Sequence, residues 1–197
     1  IVAAEDKRIN QDILIPYHLD MGAKPGQVVM VELTEQPSVH AHPMGKVVQI
    51  LGNYADSGME IEIALRKHKL PHQFSPAALS QAERIPKLVQ AADYQGRIDL
   101  REMALITIDG ETARDFDDAV FAEKQGAGWR LVVAIADVSF YVKPDDALDK
   151  DAFERGNSVY FPRRVIPMLP EALSTGLCSL NPEAARLCMV WDTHIAP

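Results

Sequence analysis

The chain has 197 residues, 47% of them apolar and 24% charged, an ordinary globular composition that excludes a disordered tail or a fibre. A net charge of −8 argues against a protein whose whole surface grips nucleic acid. No stretch nears the roughly 18 apolar residues that cross a bilayer, and IVAAEDKRIN lacks the basic start and apolar run of a signal peptide, so the expectation is a cytoplasmic protein without a membrane partner.

Residues 1–72 read as all-β. Asp12–Ile15 is a short strand, Gly26 opens the strand Val28–Leu33, and Gly45 leads into Lys46–Leu51, which ends at Gly52. Met59-Glu-Ile-Glu-Ile-Ala-Leu65 alternates apolar and polar residues, the pattern of a half-exposed strand. Four or five short strands in about 70 residues leave exposed edges unless they close, so a small barrel of the OB type is expected. From Ser75 the texture turns helical: Ser75-Pro76 is a helix start, Pro86 interrupts the run, and the loop around Gly96 ends it. Residues 75–100 thus read as a helical linker after a barrel domain of residues 1–74.

Beyond residue 100 the chain is mixed α/β, giving an α+β protein overall. Ala104–Ile108 reads as a strand, and Ala119–Glu123 with Trp129–Ile135 forms a hairpin about a Gln125–Gly128 turn. Leu131–Ile135 lacks polar alternation and is expected to be covered on both faces. Asp146–Arg155 and Pro170–Thr175 read as helices, and Arg186–Ile195 as a strand.

Sixteen of the 28 acidic residues are aspartates, and four of those, Asp109, Asp115, Asp117 and Asp118, lie within ten positions between two expected strands. Their only local positive charge is Arg114. Two unit charges about 5 Å apart repel by roughly 3 kcal/mol at an effective dielectric of 20, so converging carboxylates either protonate or capture a cation. Hard divalent ions suit oxygen ligands, and Mg²⁺ is the usual one; with water in its shell it suits hydrolysis of a phosphodiester. An EF-hand loop from Asp115 fails, because its sixth and twelfth positions are Val120 and Gly126 rather than Gly and Glu. An aspartyl-phosphate phosphatase fits poorly, since Asp115-Phe-Asp117 follows Ala113-Arg114 instead of an apolar strand. A solvated acidic loop stays open at this point.

The second acidic patch, Asp145, Asp146, Asp149 and Asp151, falls at a helix start, where negative charge complements free N–H groups. His40, His42, His68 and His72 have no partners at ligand spacing, and Cys178 and Cys188 read as buried thiols rather than a disulfide or zinc framework.

Five motifs resemble, in order, the opening of the catalytic RNB domain of the RNase II/RNase R family of 3′–5′ exoribonucleases. They are Thr107-Ile-Asp-Gly-Glu-Thr-Ala-Arg-Asp-Phe-Asp-Asp-Ala-Val120, Val133-Ala-Ile-Ala-Asp-Val-Ser139, Ser158-Val-Tyr-Phe-Pro162, Ile166-Pro-Met-Leu-Pro170 and Leu177-Cys-Ser-Leu-Asn-Pro182. The likeness is strongest to the RNase R branch, and the preceding barrel is similar to that family's second cold-shock domain. The resemblance implies Mg²⁺-dependent, processive release of nucleoside 5′-monophosphates from the 3′ end of single-stranded RNA. It implies that Asp109, Asp115 and Asp118 hold metal, that Asp117 stands closest to the reacting phosphate, and that Tyr160 packs on the 3′-terminal base. Lys46, Arg66 and Lys67 are expected to guide RNA phosphates at the barrel.

The missing initial Met and the end at Pro197 suggest a piece of a longer protein whose RNB domain continues into a cationic channel wall and an S1 domain. The 197 residues alone are therefore expected to show little or no nuclease activity. The competing reading is a non-catalytic OB-fold RNA-binding or regulatory module with a structural acidic loop.

Overall fold

The structure is a computed structural model describing residues 1–6, 8–38 and 41–196; Lys7, Val39, His40 and Pro197 lie outside the described residues. The chain divides into two compact units, Ile1–Leu70 and Pro71–Pro197.

The first unit is built on a long antiparallel hairpin of β1 (Gln27–Glu35) and β2 (Met44–Asn53). Its Val- and Ile-rich runs favour the pleated conformation, and three register irregularities along β1 bend it. Gly45 is required there, because a Cβ would press into the Val31 side chain and the Glu32 carbonyl. Residues 12–15 form no full strand: Ile13 bridges to Val2, and Leu14 to Met44. The described residues of this unit thus show fewer paired strands than the expected four or five.

One expectation is reversed. Met59–Leu65, read as a strand, is the start of α1 (Met59–Lys67). Within it Ile61 and Leu65 stand four apart on one helical face and are buried, and Met59 is buried at the first position of the helix. Glu60 and Glu62 in the first turn, Arg66 and Lys67 in the last, and a Glu62–Arg66 pair at i,i+4 complement the helix dipole.

The second unit opens with α2 (Pro76–Arg84), where the Ser75 side chain accepts from the Ala78 N–H and Pro76 occupies the first turn. This segment is more than a connector. Ala78 and Ala82 are buried in a core with Ala136, Leu148, Leu169, Leu173, Leu177 and Cys178, and small side chains let α2 sit closely on α4 (Ala147–Arg155). Leu148 and Leu173 are fully buried, each contributing about 1.5–3 kcal/mol. The acidic patch 145–151 is structural, as expected of a helix start. Asp146 caps α4 through the Asp149 N–H and also accepts from Gln81 Nε2, while Asp151 accepts from the Ser75 N–H.

The sheet has the order β3 (Asp118–Gln125), β4 (Gly128–Ala136), β7 (Cys188–Ile195), antiparallel throughout. Gly126-Ala127 makes the two-residue hairpin turn. Between β4 and β7 lie α3 (Val138–Tyr141), α4, the small hairpin β5 (Val159–Phe161) and β6 (Arg164–Ile166), and a π-helical segment Ala172–Leu177 in place of the expected helix at 170–175. β4 is covered on one face only, which corrects the sequence reading. Val132, Ala134 and Ala136 are buried, whereas Ile135 is 46% exposed and shares its open face with Trp129, Met189 and Trp191. Its polar-free run reflects strand propensity more than double burial. Residues 104–108 contribute a single bridge, Ile106 to Val120, rather than a strand.

Candidate active site

The acidic loop is held at both ends and in its middle. At the N-terminal side, Ile106 and Val120 exchange two backbone hydrogen bonds of 2.9 and 2.8 Å. They close Asp109–Asp118 into a loop that feeds β3. At the C-terminal side the Ala136 N–H donates to the Asp117 carbonyl at 2.9 Å, and Asp118 pairs with Ile135. The middle is gripped by the segment after the π-helical turn. Ser179, completely buried, accepts from the Phe116 N–H at 3.0 Å and donates to the Arg114 carbonyl at 3.1 Å, while the Leu180 N–H reaches the Phe116 carbonyl at 2.8 Å. Arg186 in turn fixes that segment through the Ser179 and Gly176 carbonyls. Three loop residues, 114, 116 and 117, therefore have their backbone positions set from outside the loop, which fixes the backbone from which the Asp115 and Asp117 side chains project.

Asp117 is the electrostatic focus. It remains solvent-exposed, yet its carboxyl is pushed above the ordinary range, first by the surrounding protein and then by Asp115, Asp118 and Asp109, all acting in the same direction. The other three predicted aspartates are thus within electrostatic reach of Asp117. They are not gathered into a finished ligand shell: among the described residues no three His, Cys, Asp or Glu side chains are grouped closely enough to hold a metal ion. The donor chemistry nonetheless fits a hard divalent cation, because an oxygen-only set whose charges destabilise one another at Asp117 lacks the counter-charge such an ion brings.

Tyr160 also arrives at this site, from β5. Its hydroxyl donates to Asp115 Oδ2 at 2.6 Å while the residue stays 64% exposed, and this bond to the carboxylate is the main cause that raises the phenol above its usual range. The barrel cations lie in the first unit. Lys46, on β2, pairs with Glu32 at 3.0 Å; Arg66 pairs with Glu62 and keeps a side chain only 13% exposed; Lys67 is exposed. Two of these three expected phosphate guides are therefore already engaged with acids. His40 lies outside the described residues, and the remaining described histidines join no metal-ligating cluster.

Two residues inside the motifs take roles that only the fold reveals. Ser179 stood inside Leu177–Pro182 as one small polar residue among several, and only its complete burial reveals its task. Asp137, inside Val133–Ser139, caps α3 by accepting from the Phe140 N–H and from Ser139 Oγ, and meets Arg97 at 2.7 Å, with Asp137 itself 5% exposed. Burial raises its pKa, but the bonds from Ser139 and Arg97 outweigh that and leave it lowered.

A barrel-type domain followed by a mixed α/β domain that presents an acidic loop defines the class. A cold-shock domain model matches residues 1–75, which places the first unit in the OB class, and the model for the RNB domain matches residues 97–197. The chain belongs to the RNB family. Ribonuclease R of Vibrio cholerae is 54% identical over 196 residues, 99% of this chain and 24% of the relative, and Ribonuclease R of Escherichia coli is 52% identical over the same shares. The chain thus spans about a quarter of the length of these relatives. The solved structure of Mycoplasma genitalium RNase R in complex with double-stranded RNA superposes with a TM-score of 0.87 at 27% identity, covering 95% of this chain and 34% of that one. Among the described residues no helix is long and apolar enough to cross a membrane.

Proposed function

We propose that this chain carries the acidic half of the active site of a 3′–5′ exoribonuclease that hydrolyses single-stranded RNA stepwise to nucleoside 5′-monophosphates. The observation that carries the reading is the crowding of Asp109, Asp115 and Asp118 on Asp117 in a loop braced from three directions. Asp109, Asp115 and Asp118 would hold Mg²⁺. The ion, when bound, neutralises phosphate oxygens, supplies a nucleophilic water and stabilises the leaving alkoxide. Asp117, with its affinity for a proton raised by the surrounding protein and then by its three acidic neighbours, is suited to orient the attacking water and take its proton. The exposed ring of Tyr160 offers a platform for the terminal base, a contact that is sequence-tolerant and contributes about 1–3 kcal/mol. Family membership and the likeness to relatives named Ribonuclease R, one of them solved with RNA, support this reading.

An uninterrupted 3′–5′ digestion also needs cationic groups along the RNA backbone. The acidic loop does not supply them, so turnover is expected of a chain extended through the whole RNB domain and little or none of the 197 residues alone. The test is digestion of 3′-end-labelled single-stranded RNA by the extended chain. Release of labelled nucleoside 5′-monophosphate as the first product, abolished by EDTA and restored by Mg²⁺, is expected. Internal cleavage would contradict the exonuclease reading, and binding without any cleavage would favour the non-catalytic RNA-binding or regulatory module.

A further inference from the structure

A ring that only stacks on a base needs no hydroxyl. Tyr160 nonetheless commits its hydroxyl to Asp115 across 45 positions of sequence, at the short distance typical of a charge-assisted O–H···O⁻ bond. The bond runs from the β5–β6 hairpin to the acidic loop and occupies Oδ2 of Asp115, which leaves Oδ1 for another partner. Asp115 is one of the charges that repel Asp117, so an unrestrained Asp115 side chain would rotate away from its acidic neighbours. The tyrosine hydroxyl opposes that rotation.

We propose that Tyr160 is a positioning residue as well as a stacking platform. Its hydroxyl holds Asp115 toward the carboxylate cluster, so that seating the terminal base and presenting a metal-binding carboxylate depend on one side chain. This rests on the exoribonuclease reading and adds a separate role to it. The ring supplies RNA affinity and the hydroxyl supplies the geometry of Asp115, so Tyr160→Phe removes the second function alone and Tyr160→Ala removes both.

The experiment uses a chain extended through the whole RNB domain, with RNA affinity measured in EDTA by fluorescence anisotropy, kcat and KM measured in Mg²⁺, and Mn²⁺ uptake followed by electron paramagnetic resonance. Tyr160→Phe is expected to keep RNA affinity and KM within about twofold, lower kcat about tenfold, and weaken Mn²⁺ uptake about fivefold, as loss of side-chain orientation rather than of contact dictates. Tyr160→Ala is expected to lose RNA affinity as well. A Tyr160→Phe protein matching the native one in kcat and Mn²⁺ uptake would overturn the proposal, as would a Phe variant that loses RNA affinity as fully as the Ala variant. Asp117→Asn run in parallel separates the two levels. Native turnover in that variant defeats the exoribonuclease reading itself, whereas an inactive Asp117→Asn beside a native-like Tyr160→Phe overturns only the positioning role.

Discussion

Ser179 is the residue whose removal tests the architecture of the site without touching its carboxylates. Its side chain is completely buried, accepts from the Phe116 N–H and donates to the Arg114 carbonyl. Ser179→Ala strands both backbone groups. A half-buried donor left without a partner costs about 1–3 kcal/mol, and the lost atom leaves only a small void, so a destabilisation of about 2 kcal/mol is expected. Trp129 and Trp191 are the only two tryptophans and both lie in the second unit, so their fluorescence during urea or thermal unfolding reports on that unit alone. The expected fall in its melting temperature is roughly 5–10 °C. Ser179→Cys keeps the shape but bonds weakly, and should lose most of the same stability if hydrogen bonding is responsible. Hydrogen exchange should also quicken at residues 109–118 and stay unchanged in α4. A change below about 0.5 kcal/mol, or a Cys variant as stable as Ser, would refute the assignment of Ser179 as the loop's anchor.

Asp137 predicts a pH dependence. Its pKa is lowered in the folded state relative to 3.8, so its contribution is complete above the unfolded value and is lost as pH falls through the lowered folded one. Asp137→Asn should therefore weaken the second unit at neutral pH and flatten the decline of its melting temperature below about pH 4; parallel profiles would contradict this. Gly128→Ala should destabilise the β4–β7 pairing by about 2–4 kcal/mol, because a Cβ there collides with the Ile195 carbonyl, and native-like unfolding would show that strand end to be yielding. Mn²⁺ titration of the chain should give saturable uptake that Asp109→Asn weakens about tenfold; identical isotherms would remove Asp109 from the ligand set.

The parts of the fold that were legible in the sequence were those where one physical signal dominated. The Ser75-Pro76 start of α2, the capping aspartate of α4 and the two-residue turn between β3 and β4 each depend on local backbone chemistry, and local chemistry is written residue by residue. Met59–Leu65 reads as a strand because its apolar residues at 59, 61, 63 and 65 alternate, whereas the helical signal rests on the single i,i+4 pair Ile61 and Leu65, and the charged ends that tip the choice act only once a helix exists. The open face of β4 failed for a related reason: an unbroken run of Leu, Val, Ala and Ile states propensity, whereas coverage depends on which elements fold over it. At the site, the four aspartates were visible as an unusual density of charge. The groups that aim them were not, since Ser179 and Tyr160 stand 63 and 45 positions away from their partners Phe116 and Asp115.

The decisive measurement is the turnover of single-stranded RNA by Asp117→Asn in a chain extended through the whole RNB domain, compared with the native sequence at the same Mg²⁺ concentration. A loss of roughly 10²–10³-fold in kcat with RNA affinity retained is expected, as when a group that acts in the transition state is removed. Undiminished release of nucleotides by the variant would contradict the claim that this knot of carboxylates performs the hydrolysis.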